Sequence, residues 1–148
     1  MSRTFDPKRY VISFAGILLN KGVSDGTVLT VASVTPGFSS KVGVDGTVTR
    51  SRSHDKRKTA ALTLMCSSEV NDRLSALYNA DRDPAQPNGR GVGAFYVQDL
   101  SGTTVLSCPK AWISDDPDMT IEATASTREW SFELSEVVDM IHGSVTDD

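Results

Sequence analysis

Apolar and polar positions alternate with a period of two along most of this chain, and the period lengthens only once. Arg9-Tyr10-Val11-Ile12-Ser13-Phe14 predicts a strand with Phe14 facing a core; Ala15-Gly16 permits a bend, and Ile17-Leu18-Leu19 resumes before a turn at Asn20-Lys21-Gly22. After Asp25-Gly26, the β-branched run of residues 27–34 predicts a second strand that stops at Pro36-Gly37, and residues 38–43 a short third one. Residues 46–65 read as an extended hairpin: an outgoing strand from Gly46 to Ser53, a turn at His54-Asp55-Lys56-Arg57-Lys58, and a return strand from Thr59 to Met65. Only Val48 is apolar in the outgoing strand, while Leu62 and Leu64 give the return strand a core-facing end. A two-stranded ribbon is marginal in water. The tip of this one is therefore either mobile or covered by another molecule.

From Ser67 the period becomes helical. Ser67 or Ser68 is placed to cap, Glu69 and Asp72 lie near the positive end, and Val70, Leu74, Leu77 and Tyr78 recur at i, i+4, i+7 and i+8, which predicts one helix over about 68–80. Prolines and glycines in residues 81–91 predict a surface loop. Strands then return over 94–99 and 103–108, the second broken by Pro109 after a turn at Ser101-Gly102, with a short piece at Ala111-Trp112-Ile113. Another is expected over 119–123, and a clean alternation follows in which Trp130, Phe132 and Leu134 point inward. The sum is a single mainly-β domain over residues 1–148, a barrel or sandwich with one flanking helix, a polar segment 1–8 and a terminal arm 136–148 ordered only when something binds it.

Length allows a real core: a chain of 148 residues buries roughly 68–70% of its unfolded surface. Cys66 and Cys108 are expected to be reduced, partly buried thiols, and both tryptophans, Trp112 and Trp130, to be core. No run approaches the roughly 18 apolar residues of a membrane helix, so no membrane partner and a cytoplasmic or particle-borne protein are expected.

Charge changes the picture more. The net charge is −4, yet residues 50–58 carry five Lys/Arg and one Asp, which leaves −8 on the remainder. That separation suits self-association of unlike surfaces at least as well as nucleic-acid binding. Arg50, Arg52, His54, Lys56, Arg57 and Lys58 are accordingly the candidate interface residues, read either as a solvated face, a protein interface or a nucleic-acid contact that lacks an interleaved aromatic for stacking. Catalysis finds little to work with. The two histidines, His54 and His142, are not placed to activate a nucleophile, there is no Gly-x-Ser-x-Gly elbow, and no catalytic, metal or cofactor site is expected. Asp115, Asp116 and Asp118 read as an acidic turn around Pro117, and Asn88-Gly89-Arg90-Gly91-Val92-Gly93 lacks both the Gly-Lys-Ser/Thr and the following helix of a phosphate cradle.

Several strings in order carry a resemblance: Arg9-Tyr10-Val11-Ile12-Ser13-Phe14-Ala15-Gly16, Lys41-Val42-Gly43-Val44-Asp45-Gly46-Thr47-Val48-Thr49-Arg50-Ser51-Arg52-Ser53, Leu62-Thr63-Leu64-Met65, Asn71-Asp72-Arg73-Leu74-Ser75-Ala76-Leu77 and Ser126-Thr127-Arg128-Glu129-Trp130. Across about residues 5–134 the chain resembles the tail tube proteins of contractile-tailed bacteriophages, which are similar in fold to the type VI secretion needle protein. The resemblance implies a structural virion protein, assembled in the host cytoplasm, that forms hexameric rings stacked into a hollow tube. Its implied partners are further copies of itself, a contractile sheath outside, and a tape measure protein and transiting DNA in the lumen. The hairpin would reach an adjoining subunit or ring. Two alternatives remain: a small nucleic-acid-binding β-domain using the basic hairpin, and a tail terminator or completion ring.

Overall fold

The structure, a computed structural model, describes residues 3–4, 10–19, 26–85, 91–100, 105–142 and 146–147. In chain order the elements are β1 (Arg3–Thr4), β2 (Tyr10–Phe14), β3 (Ile17–Leu18), β4 (Leu29–Ser33), β5 (Phe38–Val42), β6 (Val48–Arg52), β7 (Lys58–Met65), α1 (Val70–Asp81), β8 (Gly93–Asp99), β9 (Val105–Asp115), β10 (Thr127–Leu134), β11 (Asp139–Ile141) and β12 (Thr146–Asp147). The turns expected at Asn20-Lys21-Gly22 and Ser101-Gly102, and residues 88–90 of the glycine-rich connection, lie outside the described residues.

One antiparallel sheet carries the fold, in the order β3-β2-β8-β9-β10-β7-β4, with β11 beside the start of β9. Because successive side chains leave a strand on opposite faces, each alternating stretch delivers one apolar row to the same side. Ile12 and Phe14 come from β2, Phe95 and Val97 from β8, Ala60, Leu62 and Leu64 from β7, and Trp130, Phe132 and Leu134 from β10. Phe14, Phe95 and Phe132 meet at the centre, with Phe132 edge-on to the other two at 5.2 and 5.3 Å between ring centroids. Val70 and Leu74 of α1 complete this core, with Leu77 and Tyr78 partly buried at its margin. The sheet ends in β3 on one side and β4 on the other, so it is open and does not close into a barrel.

Several expectations change. The helix begins at Val70 rather than Ser68; Glu69 occupies the cap position but its side chain makes no capping hydrogen bond, while the Ser68 hydroxyl accepts the Val70 N–H at 3.3 Å. Pro109 does not break its strand. β9 runs through it, and the register with β8 slips between Gly93–Ala111 and Phe95–Cys108, the bulge at which a residue without an N–H is tolerated. The slip also turns Ala111 and Ile113 inward and leaves Trp112 only half-buried. At the same place Gly93 lies against the Ala15 bend: a Cβ there would sit 2.6 Å from that of Ala15, whose own φ is +51°.

Residues 119–123 form no strand, and Met119 and Ile121 are almost fully exposed. Residues 139–141 are not a free arm, since β11 pairs with Val105–Ser107 of β9 and Met140 packs against the core. Cys108 is buried, Cys66 is exposed, and both are free.

Candidate functional site

The basic segment sits in a different ribbon from the one expected. β6 pairs with β5, Phe38↔Arg52 through Val42↔Val48, whereas β7 lies inside the main sheet between β10 and β4. The projecting hairpin therefore spans residues 38–52 and not 46–65. Its turn is built at Gly43–Thr47: Gly43 and Thr47 pair at 2.8 Å, the Asp45 carboxylate accepts the Thr47 N–H at 3.0 Å, and Gly46 takes the positive φ of +87°. That hydrogen bond holds the Asp45 carboxyl below its usual pKa. The physical reason for the difference is the reach of the main sheet. β7 alternates apolar residues down its length and is claimed on both edges by strands that bury them, so no edge remains for the polar β6.

Every residue of β5 and β6 is exposed. One face of the ribbon carries Phe38, Ser40 and Val42 opposite Arg52, Arg50 and Val48. The Arg50 guanidinium lies over the Phe38 ring, 3.8 Å from its centroid, which holds a cation and an apolar surface side by side. With Val42 and Val48 more than 60% exposed, the face is apolar as well as basic. Phe38 and Val42 were not among the candidate residues. The signal that finds them is Asp45-Gly46 flanked by two five-residue stretches of equal period.

The other candidate cations divide. Arg57 turns back to the base, where its Nε and Nη2 donate to Asp55 at 2.9 Å each and its Nη1 lies 3.7 Å from Glu133 of β10. Asp55 also accepts from the Thr35 hydroxyl at 2.7 Å and the Arg57 N–H at 3.1 Å. Arg57 first, then Thr35, holds the Asp55 carboxyl far below the usual carboxylate range. Lys58 donates to Ser33 of β4 at 2.6 Å. The Ser53 N–H to Gly37 carbonyl bond, 2.9 Å, closes the ribbon itself. Thus Arg57 and Lys58 fix the root of the hairpin, and Arg50 and Arg52 project along it. His54 and Lys56 lie exposed in the connection between β6 and β7. Among the described residues no three His, Cys, Asp or Glu side chains gather as metal ligands would.

The family model for the bacteriophage PhiTE tail tube protein matches residues 16–143. The chain belongs to that family. Membership places it among the structural proteins of phage tails. The structural protein ORF10 of Pseudomonas phage KPP10 is 26% identical over 114 residues, 77% of this chain and 65% of that relative, just under two-thirds of its length. Solved structures share the fold at low identity. The tube-terminating cap of the anti-feeding prophage matches with a TM-score of 0.63 at 7% identity, covering 93% of this chain and 92% of that one. A chain from the sheath-tube complex of the extracellular contractile injection system PVC gives 0.58 at 8%, with 93% of each chain covered. A chain from the virion of a gene transfer agent gives 0.53 at 10%, covering 97% and 100%.

Proposed function

We propose that this chain is the subunit of a phage tail tube, self-assembling into hexameric rings that stack around a lumen through which DNA leaves during ejection. The observation that carries the reading is the ribbon of residues 38–52, in which no strand residue is buried and Phe38, Val42, Val44 and Val48 stand open beside two arginines. Beyond its root such a ribbon has little packing of its own, and contact with identical copies would cover its exposed face. The open edges at β3 and β4 are two further places where backbone N–H and C=O groups can pair across a subunit boundary instead of inviting unregulated aggregation. A ring closes growth in one direction, and stacking of unlike surfaces permits it in the other. On this reading a tail sheath lies outside, the tape measure protein and then DNA occupy the lumen, and assembly takes place in the host cytoplasm.

Negative-stain microscopy of the purified protein tests the reading: rings or hollow tubes are expected, and Arg50→Glu with Arg52→Glu gives a folded subunit that does not assemble at the concentration where wild type does. Monomers persisting at high concentration, with salt-dependent binding to short DNA, would instead identify a nucleic-acid-binding domain. A second reading, a terminator or completion ring, is favoured by the likeness to the tube-terminating cap. Copy number in the virion separates the two, one ring for a terminator and many for a tube.

A further inference from the structure

The geometry points to a specific seat for the hairpin, the acidic loop between β9 and β10 of a second copy. This rests on the self-assembly reading above. The loop is fixed without being covered. Arg128 donates through Nη1 to the Ser126 hydroxyl at 2.9 Å and through Nη2 to the Thr120 carbonyl at 3.1 Å, and the Cys66 N–H ties the Ser126 carbonyl to the end of β7 at 2.9 Å. From that frame Met119 and Ile121 stand 82% and 87% exposed. Around them Asp115, Asp116, Asp118 and Glu122 are all exposed, and no Lys or Arg occurs between Lys110 and Arg128.

The hairpin presents the inverse. Its face combines Phe38, Val42 and Val48 with Arg50 and Arg52, and the ribbon's single acid, Asp45, is at the turn. Two surfaces that each mix exposed apolar side chains with charge of one sign, opposite between them, satisfy both terms of an interface: burial at the centre and steering at the rim. Neither covers the other within one chain, since both are exposed in the same structure. A polyanion is the poorer occupant of the hairpin. Half of that face is apolar, and its single aromatic ring already carries the Arg50 guanidinium.

Charge exchange tests the pairing on the full chain. Arg50→Glu with Arg52→Glu, and separately Asp116→Lys with Asp118→Lys, are each expected to raise the concentration needed for assembly by about tenfold or more, as read by sedimentation velocity. The variant carrying all four changes returns towards the wild-type value. A second measurement avoids altered charge: in a Cys66→Ser background, Ser40→Cys chains mixed with Thr120→Cys chains form a disulfide-linked heterodimer on oxidation, seen on a non-reducing gel. Wild-type tubes without that cross-link, and without rescue by the fourfold variant, would overturn the pairing while leaving the tube intact. Loss of DNA binding with assembly unchanged in the Arg50/Arg52 variant would overturn it in favour of nucleic acid. Wild-type protein that never assembles removes the parent reading and this one together.

Discussion

Asn71 is the polar residue on which the helix–sheet junction most depends. Its Oδ1 accepts the indole N–H of Trp130 at 2.9 Å, and its Nδ2 donates to the carbonyls of Met65 and Ser68 at 3.0 and 3.2 Å. Trp130 is only 2% exposed, so Asn71→Ala leaves its N–H with little access to water. An unsatisfied buried donor costs about 1–3 kcal/mol and each lost side-chain bond about 0.5–1.5 kcal/mol. Asn71 itself is only partly buried, so water can reach the two carbonyls, and alanine recovers about 0.6 kcal/mol of helix propensity. The net expectation is a loss of about 2–3 kcal/mol. Urea unfolding followed by far-ultraviolet circular dichroism measures it, performed in the Arg50→Glu/Arg52→Glu background so that subunit association does not add to apparent stability. With Trp130→Phe the indole donor is absent, and Asn71→Ala should then cost only about 1 kcal/mol. The two changes therefore couple by about 1–2 kcal/mol; additivity to within about 0.5 kcal/mol would refute the argument that this hydrogen bond holds the junction.

Two further outcomes follow from the core and the hairpin root. Phe132→Ala removes the ring that touches both Phe14 and Phe95 in a fully buried site, and should lower the unfolding free energy by about 3–5 kcal/mol, with Phe132→Leu losing clearly less in the same urea assay. Asp55 has a lower pKa folded than unfolded, so its contribution is complete above the unfolded value, about pH 4, and is lost as pH falls below that towards the folded value. The urea midpoints of wild type and Asp55→Asn should accordingly differ most near pH 6, and the gap should narrow steadily as pH falls from about 4 to about 2. A gap that stays constant across that window would show that the carboxylate does not hold the root.

The main sheet was legible because its strands alternate strictly. A row such as Trp130, Phe132 and Leu134 has one way to be buried, and the partner rows from β2, β7 and β8 share its period. The helix was legible from Val70 and Leu74, with its first two residues misplaced because Ser68 caps by accepting from Val70 inside a turn rather than as the formal cap. The partner of β6 was misread. Polar strands carry no apolar row to match, so only turn chemistry decides the pairing, and Asp45-Gly46 with the positive φ at Gly46 is the stronger turn than the charged stretch at 54–58. Residues 119–123 alternate like a strand, but alternation gives no sign that a sheet edge is free to receive it, and Arg128 instead takes the Thr120 carbonyl. The role of Asn71 had no local signal at all. Its partner Trp130 lies 59 positions away, and the hydrogen bond exists only once β10 and the helix have docked.

The charge division of the sequence takes on a more particular meaning once the contacts are assigned. A basic run could have been one uniform patch, yet the chain spends Arg57 and Lys58 inward, on Asp55, Glu133 and Ser33, and leaves Arg50 and Arg52 outward. The inward pair joins the hairpin root to β4 and β10, both members of the main sheet, so the direction of the ribbon is set by the core rather than by its own weak pairing. Aiming a ribbon before it meets a partner reduces the ordering that association must supply, and preorganisation of this kind raises affinity without adding a contact. Under the proposed self-assembly, the outward pair would act where charge matters most in association, in steering the approach and rejecting wrong registers. Root and face therefore have separable effects: a change at Asp55 or Arg57 alters stability and aim together, whereas a change at Arg50 or Arg52, whose side chains stand away from the core, alters the exposed face of the ribbon, including the Arg50–Phe38 contact, and leaves the root in place.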